Sequence, residues 1–112
     1  MPNNIQKIVN DFSKKVEKIL GNRLKKIVLY GSYARGDYRS NSDIDIMILT
    51  DLNEKEIEDF RDEIVSIAFD IELENGIVIS PVIKNIEKFN TKIEFIPFYM
   101  NVQKEGVVLV DE

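Results

Sequence analysis

The architecture of this chain follows from two short segments. Residues 29–37 read Leu29-Tyr30-Gly31-Ser32-Tyr33-Ala34-Arg35-Gly36-Asp37, and residues 42–47 read Ser42-Asp43-Ile44-Asp45-Ile46-Met47. The apolar runs Lys26–Tyr30 and Ile44–Leu49, rich in β-branched residues, are typical of strands, and we expect both to be central in a sheet. Between them, residues 31–42 are polar and rich in turn formers, which predicts one helical turn followed by a loop.

Two amphipathic helices are predicted on either side of these strands. Apolar residues at spacings of three and four indicate a helix from Asn4 to Leu20, with Gly21 as its C-terminal stop. Asn53 followed by Glu56 resembles a capping box, and the apolar stripe that begins there ends before Asn75-Gly76. We expect both helices to cover the sheet.

The last part of the chain adds further elements. Ile77–Ile83 is the third predicted strand, and Pro81 places it at a sheet edge or at a bulge, because proline cannot donate to a ladder. A short irregular helix interrupted by Pro97 is expected over Ile93–Lys104, and a final strand over Gly106–Leu109. The order helix, strand, strand, helix, strand, helix, strand predicts a single domain over residues 1–112, an α/β (α+β) fold with helices covering a small mixed sheet.

The composition excludes several classes of site. The 112 residues contain neither cysteine nor histidine, so disulfide scaffolds, thiolate or imidazole metal sites and histidine-assisted nucleophiles are ruled out within the chain. Any metal ion must therefore be held by oxygen. No stretch approaches the roughly 20 apolar residues of a membrane span, and the N-terminus is not a secretory leader, so we expect a cytoplasmic protein.

The charge is unevenly distributed. The net charge of −5 argues against a general nucleic-acid-binding protein. Residues 1–39 carry nine basic and three acidic side chains, whereas residues 40–112 carry six basic and seventeen acidic ones. The basic part could help to hold a polyphosphate, although most of these charges are expected to be solvated helix faces.

The residues between and around the two central strands carry the chemistry. Gly31 ends a strand where a backbone has to approach a ligand closely, and Ser32 begins a helical turn whose N–H groups suit a phosphate. Asp43 and Asp45 lie two apart on a predicted strand, so their side chains leave the same face with Cα atoms about 6.6 Å apart. Two such carboxylates favour a hard divalent cation, Mg²⁺ or Mn²⁺, and a second metal ion could join it.

This arrangement resembles the signature of the minimal nucleotidyltransferases of the DNA polymerase β superfamily. The matching features are Gly31-Ser32, a ten-residue spacer, Asp43-Ile44-Asp45, and Ala34-Arg35-Gly36 within the spacer. The resemblance implies a polymerase β-like fold, Mg²⁺, and transfer of a nucleoside monophosphate from a triphosphate. It also implies that Gly31 and Ser32 bind the triphosphate, ATP above all, and that Asp43 and Asp45 hold the metal and are the catalytic carboxylates.

The chain departs from this family pattern at one position. Active members carry a third acidic residue on the later strand, and the matching position here is Ser80, which can neither add charge to a metal site nor act as a useful base near neutral pH. Glu72, Glu74 or Glu94 could supply a carboxylate from elsewhere. Positioning and charge stabilisation supply most of the acceleration of phosphoryl transfer, so slow activity is compatible with the loss.

The other polar and aromatic residues of the loop have local interpretations. Arg35 could reach a phosphate and bind the nucleotide, or brace the loop through Asp37 or Asp43. Ser42 is expected to form a local hydrogen bond. Tyr33 and Tyr38 are expected to pack or to lie on the loop surface, with no role in base stacking.

Three functions follow from these observations. The first is a metal-dependent nucleotidyltransferase that moves AMP from ATP to a hydroxyl of a partner protein, since the resemblance implies a small helical HEPN partner in a toxin–antitoxin pair. The second is a catalytically weak or inactive nucleotide-binding module that acts as an antitoxin by association. The third is a small-molecule transferase, which needs an acceptor pocket that a short chain can hardly build alone. The sequence is compatible with a homo-oligomer in each case.

Overall fold

The structure, a computed structural model, describes residues 2–111. Within that range five helices and four strands are joined by short loops and by one 3₁₀ turn at Gly21–Arg23. The elements in chain order are α1 (Asn3–Leu20), β1 (Leu24–Tyr30), α2 (Ser32–Arg35), β2 (Ile44–Thr50), α3 (Glu54–Asn75), β3 (Ile79–Asn85), α4 (Ile86–Lys92), α5 (Pro97–Glu105) and β4 (Val107–Asp111).

The four strands form one mixed sheet in the order β3-β2-β1-β4. β1 is antiparallel to both of its neighbours, β2 and β4, whereas β2 and β3 are parallel and are connected by the crossover helix α3. The predicted central strands are confirmed, because β1 and β2 each pair on both sides. Pro81 belongs to β3 and lies opposite Ile46 of β2. Because β3 is the first strand in the sheet order, the strand that contains proline is an edge strand, as predicted.

Each face of the sheet has its own covering. Helices α1 and α3 cover one face, which we call the α1/α3 face, and α4 and α5 cover the α4/α5 face. Alternate residues of β2 divide between them, since Ile46 packs toward α1 and α3 and Met47 toward α4 and α5. The buried side chains between the sheet and these two helices are Val28, Met47 and Leu49 from the strands, Phe89 from α4 and Val102 from α5.

The long helix α3 is capped at both ends as its sequence predicts. The Asn53 side chain accepts a hydrogen bond from the Glu56 N–H at 2.9 Å, and the Glu56 carboxylate accepts one from the Asn53 N–H at 3.1 Å. These reciprocal bonds satisfy two donors that a helix start leaves free. At the other end Gly76 adopts a left-handed conformation that closes the helix.

The prediction for the last third of the chain was wrong in two respects. The structure has a helix, α4, at Ile86–Lys92, where none was expected, and α5 spans Pro97–Glu105 where an irregular helix over Ile93–Lys104 was expected. Pro97 begins α5 and does not interrupt it, because proline at a first helical position lacks only an N–H that would have no intrahelical acceptor. Asn85 starts α4 by accepting a hydrogen bond from the Lys88 N–H at 3.0 Å.

Strand bounds also shift toward the C-terminus relative to the sequence prediction. β3 spans Ile79–Asn85 where Ile77–Ile83 was expected, and β4 spans Val107–Asp111 where Gly106–Leu109 was expected. Both shifts follow from strand pairing, because β3 pairs with β2 from Ile79 to Asn85 and β4 pairs with β1 from Val107 to Asp111. Among residues 2–111, no helix is both long enough and apolar enough to cross a membrane.

A candidate nucleotide and metal site

The predicted helical turn after β1 is confirmed as α2. Gly31 precedes it with φ 78° and ψ −156°, a conformation that only glycine adopts readily. Its carbonyl accepts hydrogen bonds from the N–H groups of Ala34 and Arg35, at 3.1 and 3.0 Å. Because α2 is a single turn, the N–H groups of Ser32 and Tyr33 have no acceptor within it.

Gly31 is also in close contact with Asp45. A Cβ atom added at Gly31 would lie 2.3 Å from Oδ2 of Asp45, far inside van der Waals contact. The sequence suggested that this glycine makes room for a ligand. The structure shows that it makes room for a carboxylate of the chain itself, so the loop after β1 and the acidic strand β2 are fitted to each other.

Asp45 lies in the middle of the sheet, between two other strands. Its register neighbours are Tyr30 on β1 and Ser80 on β3. All three residues therefore project from the α4/α5 face, with Cα atoms of neighbouring strands about 4.8 Å apart. Asp43 lies one residue before β2 and is exposed, while the Ile44 N–H donates to the Val78 carbonyl at 2.8 Å and fixes this entry to the strand.

The electrostatics of the acidic pair reflect this crowding. Partial burial raises the pKa of the Asp45 carboxyl above its ordinary value, and the nearby Asp43 carboxylate raises it further, while Arg35 opposes both effects. A cation bound between the two carboxylates would relieve the unfavourable effect of Asp43 on the ionisation of Asp45. The donor set consists only of oxygen and includes an exposed residue, which fits a hard divalent cation that keeps some of its water ligands.

Tyr30 was not identified as a site residue from the sequence, although it lies directly beside Asp45. Burial, with a smaller contribution from the Asp45 charge, raises the pKa of Tyr30 to about 12, so its hydroxyl stays protonated near neutral pH. The ring of Phe98 from α5 meets the Tyr30 ring edge-on, with centroids 5.5 Å apart. Tyr30 directly precedes Gly31, and the register of β1 with β2 was the signal needed to find it.

Arg35 bridges the loop to α5. Its guanidinium donates hydrogen bonds to Asp37 Oδ2 at 3.2 Å and to Glu105 Oε1 at 3.0 Å. Bracing through Asp37 was one of the expected alternatives, bracing through Asp43 is not seen, and the contact with Glu105 was not foreseen. Arg35 nevertheless lies near enough to Asp45 to lower its pKa, so its positive charge reaches the acidic pair.

The remaining loop residues have the local roles that were expected. Tyr33 is buried and stacks on Tyr38, with ring centroids 4.5 Å apart and an interplanar angle of 13°. The Ser42 hydroxyl accepts a hydrogen bond from the Arg39 N–H at 2.8 Å. These contacts hold the loop between α2 and β2 in a fixed course.

No carboxylate replaces the missing third one at this place. Within residues 2–111 there is no cluster of three acidic, cysteine or histidine side chains that could hold a metal ion. Glu72 and Glu74 lie in the last turn of α3, which covers the opposite face of the sheet, and Glu94 is an exposed residue between α4 and α5. Ser80, the position expected to match the family's third acidic residue, is the register neighbour of Asp45 on β3.

Comparison with known proteins places this chain in a family. The sequence profile of the nucleotidyltransferase domain matches residues 5–108. A relative from Methanocaldococcus jannaschii, named "Putative protein adenylyltransferase", is 40% identical over 106 residues, which are 95% of this chain and 98% of the relative. The chain therefore belongs to the nucleotidyltransferase domain family, and it is a nucleotidyltransferase.

Solved structures share the fold. A crystal structure of a "putative nucleotidyltransferase" from Sulfolobus solfataricus aligns with a TM-score of 0.63 at 19% identity. The alignment covers 95% of this chain and 79% of the Sulfolobus chain. A toxin–antitoxin complex with AMP-PNP aligns with 0.56 at 20% identity, covering 92% and 73%. A tri-AMPylated Shewanella oneidensis HEPN toxin in complex with its MNT antitoxin aligns with 0.50 at 17% identity, covering 96% and 73%.

Proposed function

We propose that this protein transfers AMP from ATP to a hydroxyl group on a partner protein, in a reaction that depends on a divalent metal ion. One observation carries the proposal. The Asp45 carboxylate lies against the backbone of Gly31, and it is close enough to Asp43 for the two charges to interact. That geometry puts the acidic pair directly beside the helical turn that begins at Ser32.

The family membership supports the adenylyl group as the one transferred. The name of the Methanocaldococcus jannaschii relative describes an adenylyltransferase, and the relative is matched over nearly its whole length. AMP-PNP, a non-hydrolysable ATP analogue, is present in one of the structures with the same fold. ATP is therefore the nucleotide that we assign to the site.

Asp43 and Asp45 are the residues that would hold Mg²⁺ or Mn²⁺. Bound there, the cation would neutralise triphosphate charge and stabilise the charge that develops during transfer. Gly31 and Ser32 would hold the triphosphate, and Arg35 would add positive charge beside it, in competition with its ion pairs to Asp37 and Glu105. The neighbours of the acidic pair thus bind and orient the nucleotide.

The transfer itself is an in-line displacement. The acceptor oxygen forms a bond to the α-phosphorus, the bond from that phosphorus to the bridging oxygen breaks, and pyrophosphate leaves with the electron pair. The proton of the acceptor hydroxyl passes to water, because the register neighbours of Asp45 are the neutral Ser80 and the protonated Tyr30. We therefore expect slow turnover.

The acceptor is assigned to a HEPN-type partner protein. This assignment is supported by the sequence resemblance to minimal nucleotidyltransferases, and by the toxin–antitoxin complexes among the proteins that share the fold. A cytoplasmic location is consistent with the use of ATP and Mg²⁺. The preferred acceptor side chain is a serine, threonine or tyrosine, since each carries the hydroxyl that the displacement needs.

Ser80 favours a second candidate function. A neutral residue at the place of the third carboxylate suits a module that binds ATP and its partner without transferring AMP, and that acts as an antitoxin by association. The two functions share the nucleotide site, so they differ only in whether a covalent product forms.

Label transfer distinguishes the two functions. The purified protein is incubated with ATP labelled at the α-phosphate, Mg²⁺ and a candidate HEPN partner, and the proteins are separated under denaturing conditions. We expect label on the partner, none from γ-labelled ATP, loss with Asp45→Asn, and retention with Asp11→Asn on the exposed surface of α1. Binding of ATP and of the partner without label on the partner would contradict the transferase function and support the binding module.

A further inference from the structure

An apolar stripe runs along the outer side of α3. Val65, Phe69 and Leu73 are spaced by four residues and are 47%, 53% and 68% exposed. Residues three or four apart on a helix lie on the same side, so the three side chains form one continuous strip, which we call the outer stripe. It adds nothing to the core, since α3 buries its opposite side through Ile57, Ile64, Ala68 and Ile71.

The surroundings of the outer stripe are strongly acidic. Residues 58–74 carry seven acidic side chains and a single basic one, Arg61. Helical spacing places Asp62 and Glu72 alongside Phe69, and Asp70 on the flank of the same strip. A solvated helix face explains the charges, but it does not explain three large apolar side chains in a row between them, which on protein surfaces mark interaction sites.

We propose that the outer stripe is the docking surface for a basic amphipathic helix of another protein. Such a helix would bury apolar side chains against Val65, Phe69 and Leu73 while its lysine or arginine residues meet the acidic flanks. Complementary charge steers this encounter and disfavours other partners. Nucleic acids and anionic membranes carry the wrong sign of charge for this surface.

Neither α3 nor α1 of a second copy provides the matching surface. A two-fold contact of α3 with α3 would place the same acidic residues opposite one another, which costs energy. The basic α1 of another copy exposes Lys7, Lys14 and Lys18 but, in the described part of the chain, no large apolar side chain. The lysines of that α1 would meet the acidic flanks, but no apolar side chain would cover the outer stripe.

The outer stripe lies on the side of the molecule opposite the acidic pair. Helix α3 covers the α1/α3 face of the sheet, whereas Asp45 projects from the α4/α5 face. A partner docked on α3 would leave the nucleotide site open. The inference therefore stands whether or not AMP transfer is the function of that site.

The test uses two synthetic 18-residue helical peptides with leucine at every fourth position, one flanked by lysine and the other by glutamate. Binding to the full-length protein is followed by fluorescence anisotropy at low and high salt. We expect the lysine peptide to bind, more weakly as salt rises, and the glutamate peptide not to bind. Replacing both Phe69 and Leu73 by serine should weaken binding by about 10-fold or more, from the loss of buried apolar area.

Matched variants separate this surface from the rest of the molecule. Phe95→Ser removes a more exposed ring before α5 and should leave peptide binding unchanged, as should Asp45→Asn, which tests the nucleotide site. Circular dichroism checks that each variant is folded. Equal binding of the two peptides, no binding of either, or unchanged affinity in the Phe69 and Leu73 double variant would overturn the proposal. So would self-association of the wild type, measured by light scattering, that the double variant abolishes.

Discussion

The two faces of the sheet differ in how completely they are covered. Among residues 2–111, the α1/α3 face belongs to a cluster of twenty buried residues, whereas the cluster under α4 and α5 contains five. Asp45 lies on the sparsely covered face, since it alternates with the residues of β2 that pack toward α1 and α3. Stability is therefore concentrated on one side of the sheet and the reactive groups on the other, so substitutions should separate loss of activity from loss of folding.

Gly31→Ala should have the largest effect, because it should reduce nucleotide transfer and stability together. The added Cβ would collide with the Asp45 carboxylate, and the backbone conformation of Gly31 is close to glycine-only. We expect nucleotide transfer to fall by about 100-fold or more, because a displaced catalytic group costs that much. Unfolding free energy should drop by about 1–3 kcal/mol, and both quantities are measurable on the same preparation.

Gly76→Ala is the matched control for that variant. Gly76 also has a positive φ, of 72°, but a Cβ added there meets no atom within 4 Å. It should cost about 1 kcal/mol of stability and leave transfer unchanged. Equal effects of the two substitutions on transfer would show that the contact between Gly31 and Asp45 does not matter.

Ser80→Asp should sharpen the comparison by adding a third carboxylate beside Asp45. Like charges on neighbouring strands repel, so without metal the variant should melt at a lower temperature than the wild type, and Mg²⁺ should restore much of the loss. Transfer should rise by about 100-fold, the lower end of what a positioned base contributes.

Ser80→Asn provides the neutral control of similar size. It should show neither the Mg²⁺-dependent melting temperature nor the gain in transfer. If Ser80→Asp behaves like Ser80→Asn in both assays, Ser80 does not face the metal site. If the aspartate variant binds Mg²⁺ more tightly but transfers nothing, the module that binds without catalysis is the better account.

Glu56→Gln should have the smallest effect. It should change stability at the start of α3, on the α1/α3 face, and leave nucleotide transfer unchanged. The hydrogen bond from the Asn53 backbone and then the contact with Arg23 lower the pKa of the Glu56 carboxyl. A lowered pKa contributes stability above the unfolded pKa, and that contribution is lost as pH falls through the folded pKa. The variant should therefore be less stable than the wild type at pH 7, and the gap should close near pH 3.

Urea unfolding at the two pH values measures this difference. Glu63→Gln, at an exposed position in the middle of the same helix, is the control and should show no pH-dependent gap. A gap for Glu56→Gln that persists at pH 3 would mean that the capping hydrogen bond, and not the charge, accounts for the effect. Nucleotide transfer should be normal in both variants.

The elements with strong local signals were predictable from the sequence. The period of three and four residues in α1, the Asn53 and Glu56 capping box, and the β-branched runs of β1 and β2 each gave the right element. The helical turn at Ser32 was also predicted, because its hydrogen bonds join near neighbours in the chain, whereas the contact of Gly31 with Asp45 was not foreseen.

What depended on contacts distant in sequence was not predictable. Asn85 as the start of α4 and Pro97 as the start of α5 were missed because neither residue decides between a loop and a helix start without its surroundings. The placement of Tyr30 beside Asp45 required the strand register, and the ion pair of Arg35 with Glu105 joins residues 70 positions apart. The assignment of Asp43, Asp45, Gly31, Ser32 and Arg35 to nucleotide and metal binding remains a prediction.

The central claim is that Asp43 and Asp45 make ATP binding depend on a divalent cation. Isothermal titration of ATP into the wild type should show binding with Mg²⁺ that weakens at least about 10-fold in EDTA, since carboxylates and phosphates repel without the cation. Asp43→Asn and Asp45→Asn should lose the Mg²⁺-dependent part, while Asp11→Asn keeps it. Unchanged affinity for ATP and Mg²⁺ in the folded Asp43 and Asp45 variants would contradict the account.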